Sequence, residues 1–64
     1  DWMNTGHVHF VMRQVPQAIQ HYLQAQSCEK SHSDFIEKFN KDRNVLLNLG
    51  LTEEDLQIML DLLL

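Results

Sequence analysis

The chain has 64 residues and a formal net charge of −4, with five lysines and arginines against nine aspartates and glutamates. A domain of this size buries only about 60% of the surface that its unfolded chain exposes, so its stability is marginal without further support. Its single cysteine excludes an internal disulfide. The few basic residues are scattered, and no apolar run approaches the roughly 20 residues that span a bilayer. We therefore expect neither nucleic acid nor a membrane as a partner.

The first half of the chain predicts two helices joined by a tight turn. Apolar and small residues recur at steps of three and four, which predicts a helix over residues 2–12. Pro16 suits a first helical turn, because its missing N–H would have no intrahelical partner there, and it opens a second helix over 16–27. The short turn at 13–15 indicates that the two helices pack antiparallel.

The second half begins with a third predicted helix over 33–49, with Ser31 and Ser33 both candidate N-caps. Polar residues at 42–44 indicate solvent exposure or a slight bend, and Gly50 is expected to end the helix in a left-handed conformation. The apolar residues expected to face inward are Phe35, Ile36, Phe39, Leu46 and Leu49.

Thr52 marks the start of a fourth helix over 53–63, because three acidic residues follow it and favour the positive end of a helix dipole. Its predicted apolar stripe is Leu56, Met59, Leu60 and Leu63. With two glycines, one proline and few β-branched residues, the chain is predicted to be all-α, with four helices in two antiparallel hairpins.

The first hairpin resembles a tetratricopeptide repeat, a helix–turn–helix unit of about 34 residues. The residues in register with that family are Trp2, Gly6, Ala18, Tyr22 and Ala25, with Ile19 in the common Ala-Ile pair. The small residues would let the helices approach closely, with Trp2 and Tyr22 filling the space beside them. The sequence departs from the family at Thr5, His9, Arg13 and Lys30, the last in place of the closing proline.

Residues 35–64 do not form a second repeat and are similar to the C-terminal ends of bacterial tetratricopeptide proteins, those of Bacteroidetes in particular. A solenoid needs a terminal cap over its last apolar face. The resemblance thus implies one helical domain over 1–64, with a repeat at 1–30 and a capping helical pair at 31–64. We expect it to be part of a longer protein, because the chain has no initiator methionine and Trp2 already belongs to a helical pattern.

Residue spacing does not indicate catalysis, a metal or a cofactor. His7 and His9 are two residues apart and point in different directions on a helix. Cys28 stands near a predicted helix end and lacks the motifs that accompany cysteine catalysis. We expect His9 to be a structural histidine between the helices, and the chain not to be an enzyme.

The resemblance implies a protein-interaction module that binds a peptide or protein through the inner face of the first helix. The candidate binding residues on that face are Met3, His7, Phe10 and Val11. Three alternatives remain open: Phe10 and Val11 pack on the third helix; the unit is a purely structural solenoid cap; or it is a free-standing helical regulatory domain. An exposed apolar edge around Trp2 would also favour a homodimer.

Overall fold

The computed structural model describes all 64 residues; 78% of them are helical and there is no strand, which confirms the all-α class. Its five helices are α1 (Trp2–Val11), α2 (Val15–Ser27), α3 (His32–Lys41), α4 (Arg43–Asn48) and α5 (Glu53–Leu63). The predicted continuous helix over 33–49 is wrong, because this segment forms two helices. No helix is long and apolar enough to cross a membrane.

Three helices begin at side-chain caps, of which those at Ser31 and Thr52 were predicted from the sequence. Asp1 caps α1, Ser31 caps α3 and Thr52 caps α5, each by accepting a hydrogen bond from a backbone N–H in the first turn. Ser31 is therefore the cap of α3, and Ser33 lies within the helix. At Thr52 the Asp55 carboxylate accepts in return from the Thr52 N–H at 2.9 Å, which completes a capping box.

The helix before Gly50 ends in a Schellman turn. Gly50 has a φ of 109°, its N–H bonds to the Leu47 carbonyl at 3.1 Å, and the Leu51 N–H bonds to the Leu46 carbonyl at 3.2 Å. Leu46 and Leu51 are both buried, so the turn also forms an apolar contact at the edge of the core. The predicted left-handed ending at Gly50 is confirmed.

The end of α1 has the same bonding pattern with an arginine at the left-handed position. The Arg13 N–H bonds to the Phe10 carbonyl at 2.9 Å and the Gln14 N–H bonds to the His9 carbonyl at 2.8 Å. Arg13 has a φ of 63°, a conformation that costs a non-glycine residue about 1 kcal/mol. This turn reverses the chain so that α2 packs along α1.

The separation of α3 from α4 occurs at Asp42. The Asp42 N–H bonds to the Phe39 carbonyl at 3.1 Å, and the first helical bond beyond it runs from the Leu46 N–H to the Asp42 carbonyl at 3.0 Å. Asn40, Asp42 and Asn44 surround this point, and such side chains compete with the backbone for hydrogen bonds in helix interiors. The interruption is thus a helix end and a new helix start, more than the slight bend expected.

The core is centred on the Tyr22 ring, which is fully buried. It meets Phe10, Phe35 and Phe39 edge-on, with ring centroids 5.5–6.2 Å apart. The twelve buried side chains are Phe10, Ala18, Tyr22, Ala25, Phe35, Phe39, Leu46, Leu51, Leu56, Met59, Leu60 and Leu63. The apolar stripe predicted for the last helix is therefore confirmed in full.

Two side chains predicted to pack inside lie at the surface. Leu49 is 58% exposed, because the interruption at Asp42 sets the register of α4 so that Leu46 alone is fully buried. Trp2 is also exposed and rests against the His21 ring, with centroids 5.6 Å apart. Tyr22 fills the space beside Gly6, where a Cβ would come within 2.6 Å of its ring atoms, so the predicted close approach there is confirmed.

Candidate functional site

An apolar groove of about 370 Å³ lies between α1 and α4, and we call it the α1–α4 groove. Six apolar and three polar residues line it: Val8, Val11, Met12, Val45, Leu46 and Leu49, with Asn4, His7 and Asp42. Grooves of this kind, apolar with a few polar groups, are where proteins bind ligands and partner segments.

Two side-chain bonds determine how the walls of the groove align. At one end His7 Nε2 lies 3.0 Å from Asp42 Oδ2, and at the other the Arg13 guanidinium donates to the Gly50 carbonyl at 3.4 Å. Arg13 is itself held by Asp55 at 3.1 Å. The two helices therefore run side by side in the same direction, from a polar end at Asp42 to an apolar end at Leu49.

The rim of the groove consists of four apolar side chains that are more than half exposed. Val8 of α1 and Met12 at its C-cap are 57% and 60% exposed, and Val45 of α4 and Leu49 at its C-cap are 56% and 58% exposed. Each pair is spaced i, i+4, so each lies along one helix face. This spacing is visible in the sequence, but only the tertiary structure places the two pairs beside each other.

The polar end of the groove is formed by a chain of hydrogen bonds through three side chains. Tyr22 Oη lies 2.6 Å from His7 Nδ1, and His7 Nε2 lies 3.0 Å from Asp42 Oδ2. A carboxylate only accepts, so Nε2 carries the proton and donates to Asp42; Nδ1 then accepts from the Tyr22 hydroxyl. This arrangement holds α1 to α2 and to the junction of α3 and α4.

Burial determines the protonation of this chain. Desolvation lowers the pKa of His7 below its usual 6.5, and the bond to Asp42 offsets only part of that effect. Burial, with a smaller contribution from the charge of Asp42, raises the pKa of Tyr22 well above its usual range. At neutral pH His7 and Tyr22 are therefore uncharged, and Asp42 is the charged group that lines the groove.

No lysine or arginine in the chain forms an ion pair with the Asp42 carboxylate. Its side chain is 40% exposed and its ion-pair geometry involves only His7. The adjacent Arg43 turns away and binds Glu53 through two of its nitrogens, and it also donates to Asn40. Asp42 therefore gives the groove a negative end.

The four residues predicted on the inner face of helix one have different environments. Phe10 is only 4% exposed and belongs to the core, so it cannot reach a partner without opening the fold. Met3 packs partly buried against the core. His7 and Val11 both line the α1–α4 groove. The exposed groove residues Val8, Met12, Val45 and Leu49 are not among the predicted set.

Groups with possible reactivity elsewhere are not assembled into a site. His9 and His21 stack with centroids 4.9 Å apart, and His9 Nδ1 lies 2.6 Å from Gln14 Oε1, which agrees with a structural role between the helices. Cys28 is exposed at the end of α2. No group of three or more histidine, cysteine, aspartate or glutamate side chains is placed to hold a metal ion.

No protein-family model, curated protein or solved structure matches the chain.

Proposed function

We propose that this chain is a non-catalytic protein-interaction module whose α1–α4 groove receives an apolar segment of a partner protein. The observation that carries the proposal is the rim of four exposed apolar side chains on two helices held in fixed alignment. Exposed apolar side chains grouped around a groove typically mark an interaction site.

The charge balance favours a different protein over a second copy of this chain. Each copy carries a net charge of −4, and the groove is lined by no lysine or arginine that could pair with the Asp42 carboxylate of a second copy. Burial of the exposed parts of four aliphatic side chains is worth about 1 kcal/mol each, and association entropy offsets much of it. We therefore expect a weak complex with a partner of opposite charge.

The resemblance of the first hairpin to a tetratricopeptide repeat supports the same proposal. The close approach of Gly6 to Tyr22 and the full burial of Ala18 are what a tetratricopeptide-like α1–α2 hairpin requires. In this proposal α3 to α5 form the terminal cap, since α3 covers Tyr22 with Phe35 and Phe39 and α5 adds four buried residues to the same core. A terminal unit of a repeat scaffold would present a groove of this kind to a peptide or protein.

A displayed library of random peptides, each about four helical turns long, tests the proposal. Peptides selected on the wild-type chain are expected to bind Leu49→Gln at least about tenfold more weakly, because the substitution places an amide on the apolar rim. Leu62→Gln is the matched control: Leu62 is also 58% exposed but lies on α5, outside the groove. Its binding should stay within about twofold of wild type.

The failure of the proposal would be visible in four ways. Selection could yield no peptide that prefers this chain to an unrelated helical protein, or the selected peptides could bind Leu49→Gln as well as wild type. Sedimentation could also show a dimer that Leu49→Gln dissociates, in which case a second copy occupies the groove. A loss of folding in Leu49→Gln, with no peptide selected, would support a purely structural cap.

A further inference from the structure

The α1–α4 groove is chemically different at its two ends. Asn4, His7 and Asp42 lie at the end where α4 starts, and Met12 and Leu49 lie at the end where both helices stop. The His7–Asp42 bond and the Arg13–Gly50 bond fix this direction. A partner segment lying along the groove would therefore contact a carboxylate at one end and apolar side chains along the rest.

The negative end is not neutralised from any side. From α1 it faces His7, which donates to Asp42 as a neutral ring, and from α2 the uncharged Tyr22 hydroxyl lies behind His7. From α4 the guanidinium of Arg43 is paired with Glu53. Lys41, the preceding residue, makes no ion pair, and it is exposed outside the groove.

The carboxylate also has capacity to accept further hydrogen bonds. Asp42 Oδ2 accepts from His7, and α4 begins without a side-chain cap although Asp42 stands at its N-cap position. An ionised carboxylate has about four acceptor sites on its two oxygens. The bond to His7 therefore orients the group and leaves most of its acceptor capacity to a ligand.

The dimensions of the groove define the spacing of a matching motif. From Val8 to Met12, and from Val45 to Leu49, each wall spans four residue steps, which is about 6 Å of helix rise. A partner helix lying along the groove would place apolar side chains about one and two turns from the residue at the negative end. The long stem of a lysine or arginine there would lie on the apolar wall with its charge at the carboxylate.

We infer that the partner segment is a basic amphipathic helix, with a lysine or arginine that pairs with Asp42 and apolar residues at i+3 or i+4 and at i+7 that fill the rim between α1 and α4. This inference rests on the proposed function, because it names the kind of segment that the groove accepts. It makes Asp42 the residue that determines specificity, while the apolar rim supplies most of the affinity.

The test uses the peptides selected on the full chain. They are expected to be enriched in lysine or arginine one turn from an apolar pair, and changing that cation to glutamine should weaken binding to wild type about three- to fivefold. The same change in the peptide should alter its affinity for Asp42→Asn by no more than about 1.5-fold, because this variant has no carboxylate to pair with the cation. Asparagine can still accept from His7 Nε2, so this variant keeps the bond that aligns the helices.

Asp61→Asn controls for the change in net charge, since Asp61 is exposed on α5 and lies outside the groove. With Asp61→Asn, changing the lysine or arginine of the peptide to glutamine should weaken binding as much as it does with wild type. The inference would be overturned if the selected peptides contained no basic residue. It would also be overturned if changing the peptide's cation to glutamine weakened binding equally to wild type and to Asp42→Asn. In both cases the groove would still be a binding site. If selection yields no peptide, the proposed function fails and the inference fails with it.

Discussion

At the scale of single residues, the two glycines have different roles. Gly6 lies within α1 at ordinary helical φ, where a Cβ would be 2.6 Å from two atoms of the fully buried Tyr22 ring. Gly50 has open space around it but a φ of 109°. The first glycine is required by packing between helices and the second by backbone conformation.

Gly6→Ala and Gly50→Ala should both destabilise the chain, by about 1–2 kcal/mol each, for these two different reasons. At Gly6 the gain in helix propensity, about 1 kcal/mol, offsets only part of the overpacking. Urea unfolding followed by circular dichroism measures both losses. A chemically made Gly50→D-Ala chain should regain wild-type stability or exceed it, because a D-residue prefers positive φ. If Gly50→D-Ala is as unstable as Gly50→Ala, the loss there is not conformational.

At the scale of secondary-structure elements, His7 joins parts of the chain that are distant in sequence. Its ring bonds Tyr22 of α2 on one side and Asp42, between α3 and α4, on the other. The carboxylate that could cap α4 is used for this bond, and α4 has no side-chain cap. The position of α4, and with it one wall of the α1–α4 groove, thus depends on a neutral imidazole.

The stability of the chain should fall as the pH drops through 6.5. The folded-state pKa of His7 is lowered from 6.5 by burial, so the unfolded state takes up the proton first and is favoured by it. This loss begins near the unfolded-state pKa and levels off below the folded-state pKa. Denaturant unfolding between about pH 8 and about pH 5 measures it. His7→Gln should be less stable than wild type at pH 8, and it should lack the part of the fall in stability at low pH that comes from protonation of His7.

His32→Gln is the control, because His32 is exposed at the start of α3. It should keep the loss of stability that His7 causes at low pH, because it leaves the bond between His7 and Asp42 in place. An imidazole resonance of His7 that titrates above pH 6.5 would contradict the prediction, since it would mean that the ion pair with Asp42 outweighs burial.

At the scale of the whole molecule, the two predicted parts of the domain share one core. Tyr22 and Ala18 come from residues 1–30, and the rings that cover Tyr22 come from α3. Four further core residues come from α5. Both parts therefore contribute side chains to one continuous cluster of buried residues.

A fragment of residues 1–30 should therefore fail to fold alone. Without α3 and α5 it would expose the Tyr22 ring, and isolated helices of this length are marginal in water. We expect weak helical circular dichroism and no cooperative thermal transition, whereas the full chain should unfold cooperatively. Mixing fragments 1–30 and 31–64 should restore helicity. A cooperative transition of 1–30 as a monomer would show that the hairpin is an independent unit.

Local signals explain how far the fold was predictable. The caps at Ser31 and Thr52 and the left-handed Gly50 depend on a few neighbouring residues, so these boundaries followed from the sequence. The stripe of α5 was equally clear from its spacing. At 42–44 the sequence predicted solvent exposure or a slight bend, whereas the structure ends α3 at this point, where Asp42 bonds His7, 35 residues away.

The candidate site was predictable only in part. His7 and Val11 were expected on a binding face and do line the α1–α4 groove, whereas Phe10, chosen by the same helical spacing, is in the core. Leu49 was expected inside and instead forms part of the rim. A helix face is readable from periodicity, but which face meets another helix depends on the register of that helix, which the break at Asp42 sets.

By itself the sequence determined the helical class, most helix boundaries and the small-residue contact of Gly6 with Tyr22, since these depend on local bonding and side-chain size. Only the tertiary structure decided that α4 is a separate helix beside α1, and that an apolar rim with a negative end lies between them. The physical reason is that both features depend on side chains that meet across the chain, at His7 with Asp42 and at Arg13 with Gly50.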